Sequence, residues 1–159
     1  MEANVTAIDS ITVRRARRAD VAVIVAMLAD DHLGRARERL EDPLPASYFD
    51  AFDVIDRDPN IELVVAEEAG RVVGCLQLCI LPGLSSQGAS RGLIEDVRVA
   101  SDRRGHGIGE QLVRWAVERS RGKGLKLVEL LTHQTRVDAQ RFYERLGFQR
   151  SHVGMTIRY

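Results

Sequence analysis

Two kinds of hydrophobic spacing predict where strands and helices lie along the chain. Runs rich in β-branched and other apolar residues at Ile61–Glu67 and Arg71–Leu81 predict two strands joined by a tight turn that uses Gly70. From Ile108 onward, apolar residues recur at i, i+4, i+7 and i+8, which is typical of an amphipathic helix. The chain has no internal repeat and no low-complexity linker, so these segments predict one domain spanning 1–159.

The order of the predicted elements indicates the fold class. Asp20 is a good N-cap for the first helix, and Gly147 is placed to close the last helix as a C′ glycine. The elements follow the order β-α-α-β-β-β-α-β-α-β, which predicts an α/β fold with a mixed sheet and helices on both faces. The segments are a strand at Ile11–Val13, a helix after Asp20, a short helix around Tyr48–Ile55, the two hairpin strands, a loop at Pro82–Gly92, a strand at Leu93–Val99, a helix from Ile108 to Gly122, a strand at Lys126–Thr132, a helix from Asp138, and a strand at Val153–Tyr159.

Composition limits the partners of the chain. The 23 basic and 23 acidic side chains give a formal net charge of zero, so the overall charge of the protein does not attract nucleic acid or anionic lipid. Hydrophobic residues make up 45% of the chain, which is a globular composition. No apolar run reaches the roughly 18 to 20 residues of a membrane span, and 1–11 has no signal-like run. We therefore expect a cytoplasmic protein with no nucleic-acid or membrane partner.

The two cysteines are expected to be structural. Cys75 and Cys79 lie four positions apart in one predicted strand, on the same face but about 13 Å apart. A disulfide requires Cα atoms within about 7 Å. We expect two buried thiols in a reducing compartment, and no zinc site, because no other Cys or His lies at ligand spacing nearby.

A glycine-rich loop, residues 103–109, joins the predicted strand Leu93–Val99 to the helix that follows. Glycines at alternate positions 105, 107 and 109 remove Cβ atoms that would prevent close approach. The first helical turn offers free N–H groups and the positive end of the helix dipole, and Arg103 and Arg104 add full charges. Together these features predict a pyrophosphate site, whereas a tight turn without a ligand would need only one glycine.

Three nucleotide-binding motifs compete for this loop. The dinucleotide fingerprint fails because Glu110 stands where its third glycine belongs. A P-loop fails because the only Gly-Lys pair, at 122–123, is followed by glycine. The pattern R/Q-x-x-G-x-G/A is met by Arg104, Gly107 and Gly109.

That third pattern, with the strand Ile94–Val99 before it, resembles the acetyl-CoA motif of the GNAT superfamily of N-acetyltransferases. Arg14–Asp20 is similar to the family's opening strand and helix start, and Ala139–Phe148 is similar to its terminal A-x-x-F-Y-x-x-x-G-F motif. The resemblance covers nearly the whole chain and implies a mixed sheet of about six to seven strands flanked by about four helices. It also implies acetyl-CoA as the acyl donor, no metal, and direct transfer to a primary amine of a small molecule or protein.

The resemblance places cofactor contacts on three segments. The strand before the glycine loop would hold the pantetheine arm by its backbone, the loop would hold the pyrophosphate, and the last helix would contribute further contacts. Asp138 occupies a place where many members carry Asn, and an anion there suits a phosphate-rich ligand less well. The implied residues are Val97, Arg98, Val99, Arg103, Arg104, Gly105, His106, Gly107, Ile108, Gly109, Glu110, Asp138 and Arg141.

The resemblance also implies catalytic roles. Tyr143 matches the family's tyrosine that protonates the departing thiolate. The ordinary pKa of a phenol, about 10, is close enough to that of a thiol for this proton transfer. Packing beside Phe142 in the core is the alternative role of Tyr143.

Glu95 is the preferred base; it alternates with Val97 and Val99, whereas Asp96 alternates with Ile94 and Arg98. A β-bulge nearby could reverse these sides. Either carboxylate could instead pair with an arginine.

Histidines offer fewer candidates. His133, at the end of its strand, is a further base because its ordinary pKa is near 6.5. His106 is interpreted as a phosphate neighbour, and His32 and His152 have no partner in the sequence.

Two charged clusters lie near the N-terminus. The arginines at 14, 15, 17 and 18 are interpreted as a solvated strand edge paired with Asp20 and nearby acids, because no aromatic residues are interleaved for stacking on nucleic acid. An acidic patch lies across the region expected to shape the acceptor site and favours a cationic amine: Glu38, Glu41, Asp42, Asp50, Asp53, Asp56 and Asp58. An acyl-CoA-binding regulatory module without catalysis is the alternative function, and the terminal strands allow a homodimer by analogy with the family.

Overall fold

A computed structural model describes residues 11–30 and 33–159; His32 lies outside them. Five strands and five helical segments follow one another: β1 Thr12–Arg15, α1 Val21–Ala29, α2 Ala46–Arg57, β2 Ile61–Glu68, β3 Arg71–Leu81, the short turn α3 Ser85–Gly88, β4 Arg91–Val99, α4 Ile108–Gly122, β5 Leu127–Leu130 and α5 Val137–Arg145. The predicted order of elements is confirmed as far as α5. Within the two described ranges no helix is long and apolar enough to cross a membrane.

The sheet has the order β1-β2-β3-β4-β5. The first four strands pair antiparallel and β5 joins β4 in parallel, which confirms a mixed sheet. The predicted count of six to seven strands is wrong, because Val153–Tyr159 forms no strand in the structure. Its alternation is suited to a strand, but a strand also needs a partner edge, and none of the described strands pairs with it.

Helices cover both faces of the sheet, as predicted. On one face, α1 and α2 pack on β2 and β3 around Ile24, Phe52 and Val65. On the other face, α4 packs on β3 and β4 through Ile108 and Leu112, and Phe142 of α5 packs against the same cluster.

Local signals account for the turns. Ala69 and Gly70 both have positive φ, as a tight hairpin turn requires. Gly147, with φ +95°, closes α5, and Phe148 N–H donates to the Tyr143 carbonyl at 3.1 Å. Asp20 does flank α1, but its carboxylate accepts from Arg17 N–H at 2.7 Å instead of capping α1.

Two carboxylates are buried inside ion-pair networks. Asp20 pairs with Arg14, and Glu62 on β2 pairs with Arg119 at 2.9 Å and Lys123 at 3.1 Å at the end of α4. Burial alone would raise the pKa of each carboxyl, but the hydrogen bonds from these cations outweigh it and hold both pKa values below their ordinary range.

Candidate active site

The candidate site lies where β4 and β5 separate. The two strands pair at four positions, the last being Ile94 with Leu130. Because β4 continues to Val99, the backbone of Glu95–Val99 has no partner on its β5 side within the described sheet. Such a backbone can bind an extended ligand as it would bind another strand. A cleft of about 1050 Å³ opens along it, lined by β4, the glycine loop, the start of α4, the end of β5 and α5.

A bulge in β4 decides which side chains face which side. The register with β3 shifts between Cys75 and Gln77, and Asp96 opposite this shift has φ +51°. Beyond the extra residue, Val97 packs towards the α4 side, whereas Glu95 hydrogen-bonds to Gln77 on the other side. The expectation that Glu95 shares a face with Val97 is therefore wrong, because a bulge inserts one residue into the alternation.

The glycine loop presents an anion site. Gly105 and Gly107 have φ +80° and +78°, in the left-handed region that favours glycine, and Gly107 is the residue before the first helical residue of α4. The first hydrogen bond of α4 runs from Gln111 N–H to the Gly107 carbonyl at 3.0 Å. The N–H groups of Ile108–Glu110 precede that bond and lie at the rim of the cleft, where an anion would accept from them.

Both arginines of the loop line the cleft. Arg103 pairs with Glu68 at the end of β2. Arg104 pairs with Asp30 at 2.9 Å and donates to the Val99 carbonyl at 3.3 Å, which ties the loop to the end of α1. Because the Arg104–Asp30 pair is about half exposed, it contributes little stability, and a phosphate could replace the carboxylate.

Tyr143 lies on α5 and lines the cleft, half-buried. Its ring makes edge-to-face contacts with Phe142 and Phe148, with centroids 5.1 and 5.9 Å away. Burial raises the pKa of the phenol, and the positive charges of Arg98 and Arg136 oppose this rise only in part. The ring of Tyr143 therefore packs against Phe142, as one of the two alternatives from the sequence expected, and its hydroxyl stays protonated. The catalytic role of Tyr143 stays a prediction.

Glu95 also lines the cleft, with an exposed carboxylate. Gln77 Nε2 donates to its Oε2 at 3.3 Å, and the Cys79 thiol lies 3.6 Å from the same oxygen. Burial raises the pKa of the Cys79 thiol, so it remains a neutral donor. Asp96 lines the cleft as well, and its carbonyl is 3.5 Å from the Sγ of Cys75, a fully buried thiol whose pKa burial raises to about 12.

The histidines differ in position. His133 lines the cleft, with Nδ1 2.7 Å from the Thr135 hydroxyl. His106 is exposed in the glycine loop and its Nδ1 lies 3.0 Å from the Arg104 carbonyl. His152 is exposed, and its Nδ1 lies 2.8 Å from the Ser151 hydroxyl.

Asp138 and Arg141 are not brought to the cleft. Asp138 is fully exposed in the first turn of α5, 4.0 Å from Arg141 on the next turn. The N-cap residue of α5 is Arg136, so Asp138, although its type can cap a helix, lies inside the first turn. The helical period instead turns Ala139, Phe142 and Tyr143 to the cleft.

Several lining residues have no recognisable sequence signal. Arg136 precedes α5, Arg37 follows α1, and Arg158 lies in the C-terminal segment, yet all three line the cleft. Gln77 and Cys79 contact Glu95 only because β3 and β4 pair. Among the side chains of residues 11–30 and 33–159, no group of three or more His, Cys, Asp or Glu could hold a metal ion.

The charged clusters do not form the cleft wall. Arg14 pairs with Asp20 at 2.8 Å and with Glu67 at 2.7 Å, and Arg18 pairs with Asp53, which confirms the interpretation of a paired edge. None of the seven residues of the acidic patch lines the cleft. The expected acidic lip around the acceptor is therefore not formed by this patch.

Comparison with known proteins shows the family to which the chain belongs. The model of the acetyltransferase (GNAT) family matches residues 25–148. The chain belongs to this family. The GNAT chain is similar to an aminoalkylphosphonate N-acetyltransferase of Salmonella typhimurium, with 38% identity over 110 residues, 69% of this chain and 71% of that protein. It is therefore an acyltransferase.

Two further relatives are informative. A glucosamine 6-phosphate N-acetyltransferase of Trypanosoma brucei brucei is 40% identical over 83 residues, 52% of this GNAT chain and 54% of that protein. A crystal structure described as a transcriptional regulator from Bacillus halodurans C-125 is 49% identical, with a TM-score of 0.92, and the match covers 94% of this chain and 100% of that one.

Proposed function

We propose that this protein transfers the acetyl group of acetyl-CoA directly to a primary amine of a small molecule or protein. One observation carries the proposal: three features line a single cleft, namely the unpaired backbone of Glu95–Val99, the α4 N-terminus behind Gly107, and the Tyr143 side chain. They match the extended arm, the pyrophosphate and the sulfur of an acyl-CoA.

The residues of the charged end fit a pyrophosphate. The left-handed glycines leave no Cβ over the loop, and a Cβ built on Gly105 or Gly107 would meet no atom within 4 Å. Helix N–H groups and Arg104 can then approach phosphate oxygens from two sides. Glu110, whose carboxylate pairs with Arg114 at 2.8 Å, contributes its backbone N–H.

Proton transfers follow from the positions of two side chains. A bound thioester supplies the activated acyl carbon. Glu95 accepts a proton from the amine, directly or through water, while Gln77 keeps its carboxylate oriented. Tyr143 donates a proton to the sulfur as the C–S bond breaks and the C–N bond forms, and its raised pKa keeps that proton available at neutral pH.

The acceptor is proposed to carry an anionic group as well as its amine. Beyond the two loop arginines, the cleft is lined by five further arginines and three carboxylates, and the acidic patch stays outside it. The five arginines are Arg37, Arg98, Arg136, Arg145 and Arg158, and the carboxylates are Glu95, Asp96 and Glu110. Two relatives are named for acceptors that carry phosphorus, an aminoalkylphosphonate and glucosamine 6-phosphate. A small amine with a phosphonate or phosphate group therefore suits this cleft better than a simple cation.

A catalytically silent regulatory module is the second candidate, favoured by the similar structure described as a transcriptional regulator. Both functions need the glycine loop, whereas only catalysis needs the Tyr143 hydroxyl. Direct binding of nucleic acid is disfavoured because the N-terminal arginines 14 and 18 are already neutralised by carboxylates.

The test measures release of free CoA thiol from acetyl-CoA with paired acceptors: 2-aminoethylphosphonate against ethylamine, and glucosamine 6-phosphate against glucosamine. We expect turnover with the phosphorus-bearing member of a pair and much weaker turnover without it. Tyr143→Phe should lower kcat by about 10²- to 10⁴-fold while changing acetyl-CoA binding little. Tyr48→Phe is the matched control, because its hydroxyl contacts Glu38 and the Arg39 backbone away from the cleft.

Each contrary result points to a different correction. Thermal stabilisation by acetyl-CoA without turnover of any amine would favour the silent module. No stabilisation by acetyl-CoA or CoA would remove the assignment of the loop itself, because a ligand of the native state must stabilise it. Equal rates for Tyr143→Phe and Tyr48→Phe would remove the role of Tyr143.

A further inference from the structure

The connection between α1 and α2 reaches the cleft in its described part, residues 33–45. Leu33 and Arg37 line the cleft, whereas Arg35 and Arg39 of the same connection do not. Arg37 is an exposed residue, so its guanidinium lies on the open wall of the cleft. The connection therefore presents one cationic side chain to a ligand in the cleft.

Gly34 fixes the position from which Arg37 projects. A Cβ built on Gly34 would lie 1.9 Å from the Leu28 carbonyl oxygen, so only glycine lets the connection lie directly on the end of α1. The Gly34 carbonyl accepts hydrogen bonds from the N–H groups of Arg37 at 2.8 Å and Glu38 at 2.9 Å. Because these bonds hold the backbone of Arg37 in a turn, binding a ligand there costs less conformational entropy than ordering a loose loop would.

Arg37 differs in origin from the other arginines of the cleft. Six more arginines line the cleft in the described part of the chain, and they come from β4, the glycine loop, the two ends of α5 and the C-terminal segment: Arg98, Arg103, Arg104, Arg136, Arg145 and Arg158. The two loop arginines pair with carboxylates beside the proposed pyrophosphate site. The positive charges of Arg98 and Arg136 act on the phenol of Tyr143, so both lie close to its hydroxyl. Arg37 instead comes from the layer of α1 and α2.

The proposed base faces that same layer. Cys75 and Gln77 point to one face of β3, where Cys75 packs in a cluster with Ile24 of α1. Glu95 hydrogen-bonds to Gln77 on this face. Glu95 and Arg37 therefore belong to the α1 and α2 side of the sheet, whereas α4 and α5 pack on the other side.

We propose that Arg37 binds the anionic group of the acceptor and thereby determines which amines this protein accepts. The inference rests on the proposed function, in which Glu95 takes the proton of the amine. An acceptor with its nitrogen at Glu95 extends along the α1 and α2 side of the cleft, so a phosphonate or phosphate at its far end meets Arg37. The planar guanidinium can donate two parallel hydrogen bonds to two oxygens of such a group.

Calorimetric titration of 2-aminoethylphosphonate into the CoA-saturated protein tests this assignment without turnover. Arg37→Gln should raise the dissociation constant by about ten- to a hundredfold, because it removes a charge-assisted contact. Arg37→Lys keeps the charge without the planar fork and should raise the constant less. Arg35→Gln is the matched control, since it removes the same charge from the same connection outside the cleft and should change binding little. Arg35 and Arg37 are both exposed, so both Gln variants should keep the Tm of the wild type.

Two further measurements separate the acceptor from the cofactor. In turnover of 2-aminoethylphosphonate, Arg37→Gln should raise KM by a similar factor and change kcat little, because the contact is the same in the ground and transition states. With ethylamine, which has no anionic group, Arg37→Gln and Arg35→Gln should give equal rates. Acetyl-CoA should bind Arg37→Gln as tightly as the wild type. Weakening of acetyl-CoA by the same factor as 2-aminoethylphosphonate would assign Arg37 to the cofactor and overturn the proposal.

Failure of this proposal and failure of the proposed function give different results. If 2-aminoethylphosphonate is acetylated in preference to ethylamine but Arg37→Gln behaves as Arg35→Gln does, the proposed function stands and the role of Arg37 is wrong. If the wild type binds 2-aminoethylphosphonate through Arg37 but transfers no acetyl group to any amine, the anion site stands and the proposed transfer is wrong. If 2-aminoethylphosphonate does not bind the wild type, the proposal for Arg37 is overturned.

Discussion

Gly107 allows a turn-forming role of glycine to be separated from a ligand-binding role. Its φ is +78°, and a Cβ there would meet no atom within 4 Å. For alanine the left-handed conformation costs about 1–2 kcal/mol, while the loss of unfolded-state freedom returns about 0.4–1 kcal/mol. Gly107→Ala should therefore destabilise the fold by about 1.5 kcal/mol at most, or a few degrees in Tm, since about 1 kcal/mol shifts a domain of this size by roughly 2–4 °C.

The effect on acetyl-CoA binding should be larger. Gly107 lines the cleft, so its added methyl group enters the space from which a phosphate oxygen must approach the N–H groups of α4. Loss of one charge-assisted hydrogen bond costs about 1.5–3 kcal/mol. That energy corresponds to a rise in Kd of roughly tenfold to more than a hundredfold.

Gly122→Ala is the matched control for Gly107→Ala. Gly122 ends α4 away from the cleft, has no atom within 4 Å of a built Cβ, and is not among the glycines with positive φ. Its replacement should leave acetyl-CoA binding unchanged and Tm equal or slightly higher. Calorimetric titration with acetyl-CoA and scanning calorimetry measure both quantities. If Gly107→Ala lowers Tm but binds acetyl-CoA as tightly as Gly122→Ala, the glycine serves only the turn and the reasoning is refuted.

Further predictions concern stability and proton transfer. The pKa values of the Asp20 and Glu62 carboxyls are lowered in the folded state. Their contribution to the free energy of unfolding is therefore complete above the ordinary carboxyl pKa and is lost as the pH falls through the pKa values of the folded state. Urea midpoints should decline from pH 6 to pH 3, and this decline should be weaker in Glu62→Gln. Gly74→Ala should cost about 1–3 kcal/mol in urea unfolding, because its Cβ would lie 3.0 Å from the Arg98 carbonyl. Glu95→Gln should lower kcat/KM for the amine by about 10²- to 10⁴-fold. Gln77→Ala should lower it by about tenfold through kcat, with acetyl-CoA binding retained. If Glu95→Gln is no less active than Gln77→Ala, Glu95 is not the base.

Sequence alone predicted those features that depend on neighbouring residues. Gly70 and Gly147 have the positive φ that a tight turn and a C′ glycine require, and the main helices and the hairpin lie where the hydrophobic periods put them. Each of these depends on a few consecutive side chains, so its signal is contained in a short window. The start of α5 shows the limit, since Asp138 is a good capping residue by type but lies two positions after the N-cap residue, Arg136.

Features that depend on pairing between distant segments were not predictable in this way. The side on which Glu95 lies follows from the register of β4 with β3, and its contact with Gln77 joins residues 18 positions apart. Arg37 and Arg158 reach the cleft from opposite ends of the chain. The alternation at 153–159 predicted a strand that the structure does not form, because a strand also needs a partner edge, which a short window of sequence does not reveal.

The bulge at Asp96 connects these observations. It lies two residues after Ile94, the last position at which β4 pairs with β5, and a bulge bends its strand and increases the local twist. The same extra residue therefore turns β4 away from β5, which frees the backbone of the cleft, and sets Glu95 apart from the side on which Val97 packs. On the neighbouring strand, Gly74 lets Ile108 and Leu112 of α4 approach within contact distance, so that the helix N-terminus lies beside the freed backbone. The cleft thus depends on one inserted residue in β4 and one missing side chain in β3, and a side chain added at Gly74 should disturb the ligand site as well as the core around Ile108 and Leu112.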